Sequence, residues 1–185
     1  IGGIYQGQGN YEKALEYYLK SFVIYKEFGD KKGMGQIYNN IGNIYEVQGN
    51  YEKALEYHSK SLAIKEELGD KAGLGSTYNN IGIMYKDQGD YVKALEYQTK
   101  SLAIREEIGD KRGMAGSYYN MGDIYKKQDN NEKALEYLLK SKNIKQEINI
   151  IYGLDETSKY LSEVYKKLGK YKQALEMHEL YMETK

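Results

Sequence analysis

The chain repeats itself at an interval of forty residues, and this period restricts its possible folds more than any single motif does. Residues 39–70, NNIGNIYEVQGNYEKALEYHSKSLAIKEELGD, return at 79–110 as NNIGIMYKDQGDYVKALEYQTKSLAIREEIGD. Aligning 31–70 with 71–110 gives 26 identities in 40 positions. Looser copies occupy 111–150 and 151–185, and residues 1–10 align with 41–50. A fixed period of this size marks a stacked array whose units cannot bury their apolar faces alone.

Each unit reads as two helices. Asn10, Asn50, Asp90 and Asn130 precede one helix of each pair, and Asp30, Asp70 and Asp110 precede the other. Asn and Asp accept hydrogen bonds from the unpaired amides of a helix's first turn. Glycines at 9, 29, 49, 69, 89, 109 and 169 can adopt the left-handed conformation that ends a helix. Apolar residues fall at helical spacing, as in Ile37, Tyr38, Ile41, Ile44 and Tyr45. The pattern predicts an N-terminal helical stub and nine further helices, in antiparallel pairs joined by short turns. The later units diverge. Asp129-Asn130-Asn131 replaces Gly-Asn-Tyr, Asn149-Ile150 replaces Gly-Asp, and Lys170 stands at a capping position. The first residues enter in mid-helix, which reads as a fragment of a longer array.

Positions kept between copies carry structural expectations. Gly42, Gly82 and Gly122 lie mid-helix, where glycine costs about 1 kcal/mol relative to alanine. They predict close approach of the partner helix, with Ala54, Ala94 and Ala134 facing them. Ser21, Ser61, Ser101 and Ser141 form a small series expected where the next unit docks, with Tyr181 at that position in the last copy. Tyr5, Tyr45, Tyr85, Tyr125 and Tyr165, with Tyr11, Tyr51, Tyr91 and Tyr171, read as aromatic packing between helices.

Composition narrows the function classes. Twenty-seven basic and 27 acidic residues give zero net charge, so no electrostatic footprint points to nucleic acid or an anionic membrane. There is no cysteine, and no apolar run approaches the roughly 18–20 residues that cross a bilayer. His58 and His178 are too far apart in the array to share a metal. The acidic pairs Glu66-Glu67 and Glu106-Glu107 read as solvated helix ends, lacking the shared cleft of a catalytic dyad. Gly33-Met34-Gly35 and Gly73-Leu74-Gly75 have no following Lys-Ser/Thr pair or preceding strand, so tight packing explains them better than phosphate binding. No catalytic residue, metal site or cofactor is expected.

The repeated residues resemble the tetratricopeptide repeat family. Its pattern reads here as Tyr38, Ile41-Gly42, Tyr45, Gly49-Asn50-Tyr51, Ala54 and Ser61, and again as Tyr78, Ile81-Gly82, Tyr85, Gly89-Asp90-Tyr91, Ala94 and Ser101. Two features depart from the common form: the unit has forty residues, and Gly-Asp stands where a proline usually follows the second helix. This longer form is similar to the repeats of Pins-type spindle-orientation scaffolds and of bacterial multidomain signalling proteins. The closing run 172–185 resembles the exit from such arrays toward a coiled coil and an output domain. The resemblance implies an all-α fold: a right-handed superhelical α-solenoid of antiparallel helix pairs, about four and a half units in one array over 1–185.

It also implies that the first helix of each pair lines a concave peptide-binding groove. The residues opposite the apolar face are then Gln36, Asn39, Asn40 and Asn43, followed by Asn79, Asn80 and Ile83, and by Tyr119, Asn120 and Asp123. Asn40, Asn80 and Asn120 form a ladder one unit apart. An amide both donates and accepts, which suits it to a peptide backbone. The alternative is that these asparagines are solvated or bond the neighbouring helix. The basic residues with which chaperone-binding members hold a terminal carboxylate are replaced by Gln36 and Asn39, then by Ser76 and Asn79. Lysines 126, 127, 159, 166 and 167 appear only late; they read as a solvated face or as an attraction for an acidic segment. The expected function is a non-catalytic module binding a protein or peptide, with no nucleic acid and no membrane insertion. The alternative is a self-associating or dimerising regulatory segment of a signalling protein, joined through open array ends. A soluble, cytoplasmic setting is favoured over a periplasmic one.

Overall fold

The computed structural model describes residues 1–151 and 153–184. Tyr152 and Lys185, both in the fifth expected unit, lie outside the described residues. Among the described residues there are ten helices and no strand. They are α1 (Gly2–Gly7), α2 (Tyr11–Glu27), α3 (Lys31–Val47), α4 (Tyr51–Leu68) and α5 (Lys71–Asp87), then α6 (Tyr91–Glu107), α7 (Lys111–Lys127), α8 (Asn131–Glu147), α9 (Leu154–Lys167) and α10 (Tyr171–Thr184). This is the expected stub followed by nine helices, and the fold class is the all-α solenoid. None of the helices is long and apolar enough to cross a membrane among the described residues. Two compact units divide the chain, Ile1–Met84 and Tyr85–Lys185. In the first, α1 packs on α2, α2 on α3 and α3 on α4. In the second, α6 packs on α7, α7 on α8, α8 on α9 and α9 on α10.

At the Asn and Asp turns one residue closes a helix and opens the next. The Asn50 N–H donates to the Tyr45 carbonyl at 2.8 Å, while its side chain accepts from the Lys53 N–H at 3.2 Å. Asp30 does the same, between Tyr25 O at 2.8 Å and Gly33 N at 2.9 Å. The residue before the cap takes positive φ, as at Gly49 (73°) and Gly109 (68°). Where the sequence departs from glycine, the geometry persists: Asp129 has φ 59° and Asn149 has φ 54°. Short polar side chains tolerate this region better than other L-residues. Ile150 keeps the closing bond to Lys145 O at 2.9 Å but has no side chain to open the next helix. As a consequence α9 starts only at Leu154, after Gly153 at φ 72°, and is 14 residues long where α7 is 17.

The core of the first unit gathers Ala14, Tyr18, Ile37, Ile41 and Ile44; that of the second holds Ala134, Leu138, Leu161 and Val164. Gly42 and Gly122 do lie under their partner helix, but the side chains that meet them are not the alanines. A Cβ at Gly42 would sit 2.8 Å from the His58 ring, and one at Gly122 would sit 2.7 Å from Leu138 Cγ. The room is made for the side chain four residues beyond the alanine. The serine series also behaves differently from expectation. Ser61 Oγ donates to the Gly35 carbonyl and Ser141 Oγ to that of Ala115, both at 2.8 Å, so these two tie the helices of their own pair. Ser101 does face forward, with its Oγ 3.2 Å from that of Ser117.

The first tyrosine series packs as expected, on partners the pattern did not single out. Tyr45 stacks on Tyr57 with ring centroids 5.6 Å apart; Lys53 lies 5.1 Å over the first ring and Lys60 4.8 Å over the second. The arrangement recurs at Tyr5–Tyr17, Tyr85–Tyr97 and Tyr125–Tyr137. Each such pair adds about 0.5–1.5 kcal/mol beyond its buried area. In the second series Tyr11 joins the core of its unit, whereas Tyr171 is 72% exposed.

Candidate functional site

Within the first unit the expected groove residues lie on α3 and α5. Gln36 is exposed; Asn39, Asn40, Asn43, Asn79, Asn80 and Ile83 are half-buried. Asn80 Nδ2 donates to Asn43 Oδ1 at 2.9 Å and to Asn39 Oδ1 at 3.4 Å, and Thr77 Oγ1 donates to Asn39 Oδ1 at 3.2 Å. The amides therefore brace α3 against α5. The bracing consumes the Oδ1 acceptors of Asn39 and Asn43; their Nδ2 donors have no partner among the described residues. Asn40 likewise has no side-chain hydrogen bond among the described residues.

In the second unit the same face has changed character. Tyr119 stacks on Tyr160 with centroids 5.4 Å apart, and Lys126 sits 3.8 Å over the Tyr160 ring. Burial, then the hydrogen bond with Tyr160, pushes the Tyr119 hydroxyl far above the usual phenol range. Asp123 is only 5% exposed and accepts from Lys86 Nζ at 3.0 Å. Asn120 is half-buried. Of the late lysines, Lys126 pairs with Glu163 at 2.6 Å and Lys167 with Asp129 at 2.5 Å, while Lys127 and Lys159 are exposed and make no ion pair among the described residues.

Buried and half-buried cations at one repeat position escaped the sequence reading. Lys65 is 6% exposed; its Nζ donates to Thr77 Oγ1 at 2.6 Å and Gly73 O at 3.2 Å. Lys145 repeats this with Gly153 O at 2.6 Å and Thr157 Oγ1 at 2.8 Å. Desolvation lowers both amines, Lys145 to about 8 against the opposing pull of Glu156 and Asp155. The available signal was the basic residue at 65, 105 and 145. Gly73 and Gly113 lie under the side chains of Lys65 and Arg105, which supports the packing account of the helix-start glycines.

Lys145 stands at the foot of a cleft of about 250 Å³ inside the second unit. Ala115, Gly116 and Tyr119 of α7 form one side, and Ile148 and Ile150 of the α8–α9 turn the other. Arg112 and Glu156 stand at its rim. A matching, more open cleft in the first unit is lined by Lys32, Gln36, Lys65 and Asp70 with Gly73 and Ser76. The described residues contain no group of three or more His, Asp or Glu placed to hold a metal ion.

The sequence profile of the tetratricopeptide repeat matches residues 1–67, 33–107 and 113–185. The chain belongs to the tetratricopeptide repeat family. No curated protein matches its sequence. Similar solved structures include BtubC (BKLC) from P. vanneervenii, 21% identical with a TM-score of 0.85 over 99% of this chain and 76% of that one. Aspartyl phosphate phosphatase F from Bacillus subtilis is 20% identical, with a TM-score of 0.90 over 99% of this chain and 48% of its own. A Rap protein complexed with Competence and Sporulation Factor is 19% identical, with a TM-score of 0.84 over 99% and 51%. This tetratricopeptide repeat chain thus spans about half the length of the latter two. At these identities the likeness extends to the fold.

Proposed function

We propose that this tetratricopeptide repeat chain is a non-catalytic interaction module that takes an extended peptide along its first-helix face. The observation carrying this is the set of amide donors on α3. Asn39 and Asn43 are oriented by their bonds to Asn80, leaving their Nδ2 groups without partners beside Asn40 and the exposed Gln36. Oriented amide donors match the carbonyls of an extended backbone. In the second unit Tyr119 and Asn120 would serve the corresponding face, Asp123 being buried against Lys86. The similarity to a Rap protein complexed with Competence and Sporulation Factor supports a binding role of this kind.

The test is selection of a displayed random peptide library on the whole chain, followed by affinity measurement. Gln36→Ala with Asn40→Ala touches neither the Asn80 bonds nor the core. The expected result is at least a tenfold loss of affinity with an unchanged melting temperature. Full affinity in this variant, or no enrichment from the library, overturns the reading.

A second reading, self-association, is favoured by α10, where Tyr171, Leu175 and Met182 are 72%, 58% and 61% exposed. Mass in solution that stays at one chain across a wide concentration range counts against it.

A further inference from the structure

Comparison of the two clefts at the same repeat position points to a specific anchor. Six lining positions of the two clefts align at a separation of eighty. Gln36 of the first becomes Gly116 in the second and the capping Asp70 becomes Ile150, while Tyr119 lines only the second. Two polar side chains are thus replaced by an opening and an aliphatic wall, and a ring is added. At Gly116 nothing lies within 4 Å of where a Cβ would stand, so the opening is real space. An apolar cavity of about 150 Å³ holds a benzene molecule, so about 250 Å³ admits a leucine or phenylalanine side chain.

Charge then selects what lies beside that side chain. The Lys145 ammonium donates to Gly153 O and Thr157 Oγ1 and feels the carboxylates of Glu156 and Asp155. Arg112 is exposed and has no ion pair among the described residues. Lys145 is held by its two hydrogen bonds, whereas no such bond holds Arg112 among the described residues; Glu156 shares its rim. Lys159, one turn along α9 from Glu156, is a second exposed cation without an ion pair on the same helix. An exposed guanidinium favours a carboxylate partner.

We infer that the cleft between Gly116, Tyr119 and Ile150 is the anchor pocket of the bound peptide, seating one aliphatic or phenyl side chain next to an acidic residue that pairs with Arg112. This rests on the peptide reading above and gives it a partner class: a peptide with an apolar residue flanked by Asp or Glu. The first-unit cleft, at about 370 Å³, is no smaller, but Gln36 and Asp70 give it a polar lining less suited to such a side chain.

The experiment uses the displayed random peptide library on the whole chain, then fluorescence anisotropy with the enriched peptides. Gly116→Gln restores the residue of the other copy in a position with room for it, so the fold is retained. Arg112→Glu reverses the rim charge at an exposed site. Circular dichroism and melting temperature verify both variants. The expected result is enrichment of peptides with a large apolar residue beside Asp or Glu. Gly116→Gln should weaken them at least tenfold, and Arg112→Glu should shift selection toward basic neighbours. Enriched peptides that bind Gly116→Gln and wild type equally overturn the anchor while leaving the peptide reading standing. A library that enriches nothing overturns both.

Discussion

The imidazole of His58 occupies the space that a side chain at Gly42 would need: a Cβ there would fall 2.8 Å from Nδ1 and Cε1 of the ring. His58 is fully buried, and neither ring nitrogen has a hydrogen-bond partner among the described residues. The nearest carboxylate oxygen, Glu46 Oε2, is 4.0 Å from Nε2. The glycine and the histidine thus form one packing element joining α3 and α4. In the second unit Gly122 and Leu138 form the same element without a polar atom.

Gly42→Ala should destabilise the chain by about 1–2 kcal/mol, the cost of overpacking less the better helix propensity of alanine. In a His58→Ala background the same substitution should become stabilising, because the ring that it strikes is gone. Urea unfolding of the two single variants and the double variant checks this. A loss of the same size in both backgrounds would place the strain elsewhere.

His58 should also make stability depend on pH. Burial first, then the nearby Lys65 charge, lowers its folded-state value from 6.5 to about 4. A lowered value means that the folded chain resists a proton the unfolded chain accepts. Stability is then full above pH 6.5 and falls as pH drops from 6.5 toward 4, by about 3 kcal/mol in total. His58→Leu, which copies the residue at 138, should abolish this slope. It should also raise stability at neutral pH by about 1–2 kcal/mol, by removing two unpaired buried nitrogens. Parallel pH profiles of unfolding free energy for wild type and His58→Leu would refute the assignment.

Asn149 holds φ 54° at a position where three other copies have glycine at positive φ: Gly29, Gly69 and Gly109. Asn149→Gly relieves that strain and should raise stability by roughly 0.5–1 kcal/mol, with α9 still starting at Leu154, because the missing cap is at Ile150. Thermal unfolding measures the first effect and amide exchange at residues 151–156 the second. Lower stability in Asn149→Gly would show that the asparagine side chain contributes more than its backbone conformation costs.

Much of the fold was legible in the sequence because its signals are local. An Asn or Asp cap and a glycine before it act within one turn of the chain, and α3 and α4 begin and end where those residues stand. The repeat compounded the signal, since each copy restates it. Within the site, the stripe of Gln36, Asn39, Asn40 and Asn43 was legible as the polar face of α3 for the same reason. That Asn80 spends its amide on Asn39 and Asn43 was not, because the bond joins helices about forty residues apart and depends on how they are set side by side.

By itself, then, the sequence determined the forty-residue period, the helix ends and the tetratricopeptide repeat pattern, all of which follow from short-range backbone chemistry and periodic burial. It left open the environment of each side chain. His58 and His178 hold the same repeat position, yet one is sealed over Gly42 with its proton affinity lowered and the other is exposed beside Tyr181. Two clefts at one repeat position likewise differ, polar around Gln36 and Asp70 and apolar around Gly116 and Ile150. Only tertiary structure decided these, because burial, pairing and cavity shape are set by what the neighbouring helices bring across the contact.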